Sequence, residues 1–110
     1  MHQISGTNII LTRGDSLILE LTLTRGGEPY TPAQTDSIRF AMKKSYKDPD
    51  SAVLINKQIP NDTLTLEIEP EDTKELPMNK TYVYDIELTD ENDRVDTFIS
   101  GTITLANEVI

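Results

Sequence analysis

The chain predicts an all-β fold: a seven-stranded antiparallel β-sandwich with one short helical turn at residues 70–76. Three observations predict it. Apolar side chains recur with period two in one segment after another, the spacing of strands with one buried face. These segments follow each other at roughly 8–15 residues, separated by Gly, Pro, Asn and Asp. Between them only residues 70–76 suit a helix, which argues against α/β alternation. At 110 residues the chain reads as one domain, 1–110, with no internal repeat or linker.

Taken in order, 7–12 is a short first strand closed by Arg13-Gly14-Asp15. That tripeptide also occurs in integrin ligands, but a glycine turn ahead of a strand accounts for it. In 16–24, Leu17, Leu19, Leu21 and Leu23 face one way and Ile18, Glu20, Thr22 and Thr24 the other, until Gly26-Gly27 and Pro29 break the pattern. Residues 30–36 read as polar and extended, since Pro32 biases Thr31 away from the helical region. Ile38, Phe40 and Met42 form the core face of a third strand. Val53, Ile55 and Ile59 mark a weaker fourth strand over 52–59, suited to a sheet edge.

The central stretch, 63–88, joins two strands through the helical turn. Leu64, Leu66 and Ile68 alternate with polar residues until Pro70, which has no N–H to donate and whose fixed φ suits a first helical turn. Glu71 and Asp72 place carboxylates where a helix N-terminus favours them, and Leu76 turns back to the core before Pro77. Alternation resumes with Tyr82, Tyr84, Ile86 and Leu88. A strand crossing by one helical turn into Tyr-x-Tyr resembles the corner of an immunoglobulin-like (Ig-like) sandwich, where a tyrosine pins the crossing. In the last strand Val95, Thr97, Ile99, Gly101, Ile103 and Leu105 share a face. Gly101 implies a bulge or a close backbone approach. Val109 and Ile110 end apolar, free to pair or to continue into a longer chain.

Composition narrows the functions. Without cysteine, neither disulfides nor thiolate chemistry is available. The first residues lack a basic region and a long apolar run, so neither a signal peptide nor a membrane span is expected. Asn61 and Asn79 head glycosylation tripeptides that read as turns. Net charge is −9, and residues 56–110 hold thirteen acidic against four basic side chains, a surface that repels nucleic acid.

The supplies for catalysis are thin. The single histidine, His2, sits at a terminus expected to be mobile, which removes Ser-His-Asp and histidine-zinc centres. Glu67 with Glu69 and Asp85 with Glu87 each share a strand face, yet alternate with core residues and read as solvated. Asp90, Asn92 and Asp96 are oxygen donors around a hairpin, but the sixth and twelfth positions counted from Asp90 hold Val95 and Gly101, where a calcium loop of the EF-hand type needs Gly and Glu. No catalytic residue, cofactor or metal ligand is assigned. Sugar binding wants a planar array of exposed aromatics, and Tyr30 and Tyr46 are the only tyrosines off the core faces.

The basic loop after the third strand stands out against the acidic second half. Arg39 and Lys43 are expected to lie across from Asp85 and Glu87, an arrangement that contributes about 0.2–1 kcal/mol per pair. The loop itself, with Lys43, Lys44, Tyr46 and Lys47, is the candidate for docking on a copy or partner subunit.

Several segments together resemble the small Ig-like modules of tailed phages and prophages of Gram-positive bacteria, notably the N-terminal domain of baseplate upper proteins and related short tail or head accessory proteins. They are Gly14-Asp15-Ser16, Gly27-Glu28-Pro29-Tyr30, Ile38-Arg39-Phe40, Ile68-Glu69-Pro70-Glu71-Asp72-Thr73, Tyr82-Val83-Tyr84-Asp85-Ile86 and Gly101. Members often carry glycine ahead of the Tyr-x-Tyr strand; here Asn79 stands there, and asparagine tolerates the left-handed region. The resemblance implies a non-enzymatic virion or prophage structural protein assembled in the bacterial cytoplasm. Its partners would be copies of itself or other virion proteins, with neither membrane nor nucleic acid. The alternative is a bacterial surface or carbohydrate-binding sandwich.

Overall fold

The computed structural model describes residues 7–107, and residues 2–5 as backbone. The described residues form ten strands: β1 (His2–Ser5), β2 (Asn8–Thr12), β3 (Leu17–Glu20), β4 (Thr24–Arg25), β5 (Glu28–Pro29), β6 (Ser37–Lys43), β7 (Ile55–Ile59), β8 (Thr65–Ile68), β9 (Lys80–Thr89) and β10 (Val95–Ala106). A 3-10 turn at Asp50–Ala52 and one helical turn, α1 (Pro70–Thr73), complete the fold. Each of the seven expected segments contains a strand. The helix falls inside 70–76, β1 and the β4–β5 hairpin are additional, and Val109 and Ile110 lie outside the described residues.

Six strands form one sheet in the order β1-β2-β10-β9-β6-β7, and β3 with β8 forms a second, two-stranded sheet. Period two decides which side chains meet between them. Leu17 and Leu23 from the 16–24 segment, Phe40 and Met42 from β6, Leu66 and Ile68 from β8, and Tyr82, Ile86 and Leu88 from β9 are all buried in one core. The arrangement is not wholly antiparallel, contrary to the expectation: β2 runs parallel to β10, with Ile103 beside Ile9 and Leu105 beside Leu11. β7 lies at the edge of its sheet as expected, but only from Ile55; Ala52 ends the 3-10 turn, Val53 caps it and the Leu54 N–H donates to the Met42 carbonyl at 2.8 Å.

The helical turn is held by the residues that announced it. Glu69 N–H donates to Asp72 Oδ2 at 2.8 Å, Asp72 also pairs with Lys57 Nζ at 2.8 Å, and Leu76 packs half-buried on the core. The Tyr82 hydroxyl donates to the Pro77 carbonyl at 3.0 Å, pinning the crossing five residues upstream. Asn79 takes φ of 56°, the left-handed conformation that asparagine tolerates, and its N–H donates to the Leu105 carbonyl at 2.7 Å. Arg13-Gly14-Asp15 is a turn seated on α1: Gly14, at φ of 84°, donates its N–H to Thr73 Oγ1 at 2.9 Å, and Arg13 Nη1 reaches the Leu76 carbonyl at 3.1 Å.

Two alternation patterns are cut short by tertiary pairing. The 16–24 segment stays on β8 only through Leu21, whose N–H donates to the Leu64 carbonyl at 2.8 Å. Beyond it the chain pairs with its own returning limb, Thr24 opposite Pro29, around Gly26 and Gly27, both at positive φ. In β10 the register shifts between Thr97 and Ile99, so Asp96 stands opposite core residue Leu88 while Val95 is 61% exposed. Val95 and Thr97 therefore do not share the core face of Ile103 and Leu105; one extra residue moves every side chain before it to the other face. The bulge sits at 97–99 and not at Gly101. Gly101 instead marks a close approach: a Cβ there would lie 2.9 Å from both the backbone carbon and Oγ1 of Thr7.

Candidate functional site

The candidate loop begins where β6 leaves the sheet, and its first lysine is engaged at home. Lys43 Nζ donates to Asp50 Oδ1 at 2.8 Å and to the Asp48 carbonyl at 3.2 Å, tying together the ends of 43–50. That hydrogen bond, with the lysine's charge, holds the Asp50 carboxyl below its ordinary pKa. The Lys47 N–H donates to Ser45 Oγ at 3.2 Å, a local turn within the loop. Lys44 and Lys47 are exposed, and neither side chain has a hydrogen bond or ion pair among the described residues. Tyr46 between them is 64% exposed. Of the four residues singled out from sequence, three thus form an outward basic and aromatic tip and one staples it.

Below the tip, the outer face of β7, β6 and β9 holds a groove of about 360 Å³, lined by Arg39, Lys43, Tyr46, Asn56, Asp85 and Glu87 among others. Arg39 lies directly opposite Glu87, as expected, and its Nη1 donates to Asn56 Oδ1 at 2.8 Å. Lys43, however, stands opposite Val83, and Asp85 faces Ala41. The acidic pair of β9 therefore lines an open, polar groove in which Asp85 has a small neighbour where a cation was expected. Glu67 and Glu69 are exposed, as expected of a solvated face.

The calcium candidates are put to other uses. Asp90 Oδ1 accepts the N–H groups of Asn92 at 2.8 Å and Arg94 at 3.0 Å, closing the hairpin loop. Asp96 pairs with Arg25 Nη2 at 3.1 Å. Among the described residues no three His, Cys, Asp or Glu side chains gather as a metal site.

A polar cluster with no counterpart in the sequence reading joins the β4–β5 hairpin to β10. Tyr30 is half-buried, stacked on Phe98 with ring centroids 5.5 Å apart, and the Arg25 guanidinium lies 4.3 Å above its ring. The Tyr30 hydroxyl donates to Asp36 Oδ2 at 2.8 Å, and Ala33 N–H donates to the same oxygen at 2.9 Å. Asn61 Nδ2 closes the cluster by donating to the carbonyls of Ala33, at 2.9 Å, and Asp36, at 2.6 Å. Asp36 is buried at 8% exposure. The segment looked only polar in sequence because Phe98, on which Tyr30 stacks, and Asn61, which closes on Ala33 and Asp36, come from distant parts of the chain; Tyr30 is a packing residue, which leaves Tyr46 as the exposed tyrosine among the described residues.

Three hydroxyls carry a pH dependence. The bond to Asp36 raises the Tyr30 pKa above its ordinary 10.0, and burial raises those of Tyr82 and Tyr84, the latter donating to the Thr7 carbonyl at 2.6 Å. Each phenol is neutral in the fold and ionises more readily in the unfolded chain. Their contribution to stability is therefore complete below about pH 10 and is lost as pH rises through the folded values above it. Denaturant midpoints followed upward from neutral pH should start to fall near pH 10; a midpoint that holds while absorbance shows these tyrosines ionising would contradict the assignment.

Comparison with protein-family models, with curated proteins and with solved structures found no match. Among the described residues no helix is long and apolar enough to cross a membrane.

Proposed function

We propose that this chain is a seven-stranded Ig-like sandwich serving as a non-enzymatic structural module of a tailed phage or prophage, working by contact with copies of itself or with neighbouring virion proteins. The fold part of the reading is supported by strand order. With β2 parallel to β10, and β9, β6 and β7 following it, the large sheet corresponds to an Ig-like A′-G-F-C-C′ series, and β3 with β8 to the B-E pair facing it. The Tyr82 to Pro77 hydrogen bond supports it at the corner.

The functional part rests on the tip of residues 44–47. Two lysines and a tyrosine are held out by the Lys43–Asp50 staple, while the chain as a whole carries −9. A cationic and aromatic knob on an anionic block suits head-to-tail contact with the acidic surface of a neighbour, where opposite charge sets orientation and encounter rate. Such contacts close into rings when the rotation between copies allows.

Light scattering coupled to size-exclusion chromatography, over a concentration series at low and high salt, tests the reading. A defined oligomer that weakens in salt and is lost in the Lys44→Glu, Lys47→Glu double variant is the expected result. A monomer at every concentration, indifferent to salt and to the double variant, would overturn self-assembly through this tip. The groove beside Tyr46 favours one other reading, a surface sugar-binding domain, because Asn56, Asp85 and Glu87 line it with hydrogen-bonding groups. Retention on a glycan array, lost in Tyr46→Ala, would replace the assembly role with that one.

A further inference from the structure

The two sheets are unequal, and among the described residues the smaller one leaves the outer edge of β3 open. β3 pairs with β8 on one side, and no described strand lies along the other. The Leu21 N–H to Leu64 bond sets the phase of this ladder. Leu17, Leu19 and Leu21 turn their main-chain groups toward β8, so those of Ile18, Glu20 and Thr22 point away, at the two-residue repeat that an added strand requires. Natural edges are commonly guarded by lysine, proline or a bulge. Here 17–23 contains none of these, and Glu20 is its one charged residue.

Beneath the edge, the gap between β3 and the large sheet opens as an apolar groove of about 240 Å³, with Leu19 and Leu21 on one wall and Ile9, Ile86 and Ile99 on the other. Above it, the outer face is anionic. Ile18, 63% exposed, stands opposite Glu67, Glu20 follows, and Glu69 extends the strip, with no lysine or arginine on β3 or β8.

We propose that the β3 edge accepts an extended segment of another polypeptide in which apolar residues alternate with lysine or arginine. Main-chain groups of the segment pair with Ile18, Glu20 and Thr22, its apolar side chains enter the groove, and its cations lie over Glu20 and Glu67. The charge pattern selects this occupant over a second copy, because two β3 edges meeting about a two-fold axis would bring their glutamates together. The site is separate from the 44–47 tip and does not rest on its role.

The test is a titration of the isotope-labelled full chain with an acetylated, amidated Lys-Val-Lys-Val-Lys-Val-Lys peptide, with an otherwise identical Glu-Val peptide as control. Expected are tenfold or greater slowing of amide hydrogen exchange at Ile18, Glu20 and Thr22 with the basic peptide alone, and roughly threefold to thirtyfold weaker binding by the Glu20→Lys variant. Glu20 is exposed on the strand surface, and its amide spectrum reports whether the variant is folded. Equal binding of the acidic peptide, absence of protection at the three amides, or protection already present in the free chain through self-association would each overturn the proposal.

Discussion

Replacing Gly101 with alanine should destabilise the fold by about 2–4 kcal/mol. The added Cβ would meet the carbonyl group of Thr7 and approach Thr7 Oγ1 to 2.9 Å, and backbone atoms cannot swing aside as the end of a long side chain can. Overfilling such a contact costs about 1–3 kcal/mol. The same carbonyl accepts the Tyr84 hydroxyl at 2.6 Å, so moving Thr7 also endangers a hydrogen bond worth about 0.5–1.5 kcal/mol. The check is urea denaturation of Gly101→Ala, Tyr84→Phe and the double variant. Because both changes act through Thr7, the double variant should lose less than the sum of the two. Wild-type stability in Gly101→Ala would show that the approach of β10 to the start of β2 is looser than described.

Asp36→Ala should cost a similar amount, about 2–4 kcal/mol, although its surroundings are mostly polar. The carboxylate accepts the Tyr30 hydroxyl and the Ala33 N–H through one oxygen, and hydrogen bonds to a charged group contribute about 1.5–3 kcal/mol each. Truncation leaves both donors without that acceptor and frees the Tyr30 ring from its stack on Phe98, where Arg25 lies over both rings, loosening the hairpin from β10. For a domain of this size each kcal/mol lowers the melting temperature by about 4 °C, so a fall of roughly 8–16 °C is expected. Asp36→Asn, which keeps an acceptor oxygen without the charge, should lie between. A loss under about 0.5 kcal/mol in Asp36→Ala, the range of an ordinary surface substitution, would reduce the cluster to a decoration.

Of the candidate interaction residues, exposure was legible and engagement was not. Lys44, Tyr46 and Lys47 fall in a polar loop between two alternating segments, and such loops run over the surface. Alternation set Lys43 apart from Lys44 and gave it a partner across on β9, but the partner that draws it inward, Asp50, is reached only once the chain has turned through residues 44–49.

The sequence by itself determined which side chains enter the core and where the chain turns. Period two is a local property, so Phe40, Met42, Leu66, Tyr82 and Ile86 could be assigned to buried faces without knowing their neighbours. The Pro70 start, the Asn79 turn and the Tyr82 pin were legible because each depends on a few adjacent residues. The tertiary structure alone decided which strand lies beside which, and with that the places where alternation fails. The bulge at 97–99, the change of partner after Leu21, the parallel pairing of β2 with β10 and the closing of Asn61 on Ala33 and Asp36 all depend on pairing between segments far apart in the chain. Main-chain donors and acceptors are the same at every residue but proline, so local pattern cannot rank their partners; the closing of the two sheets over one core does.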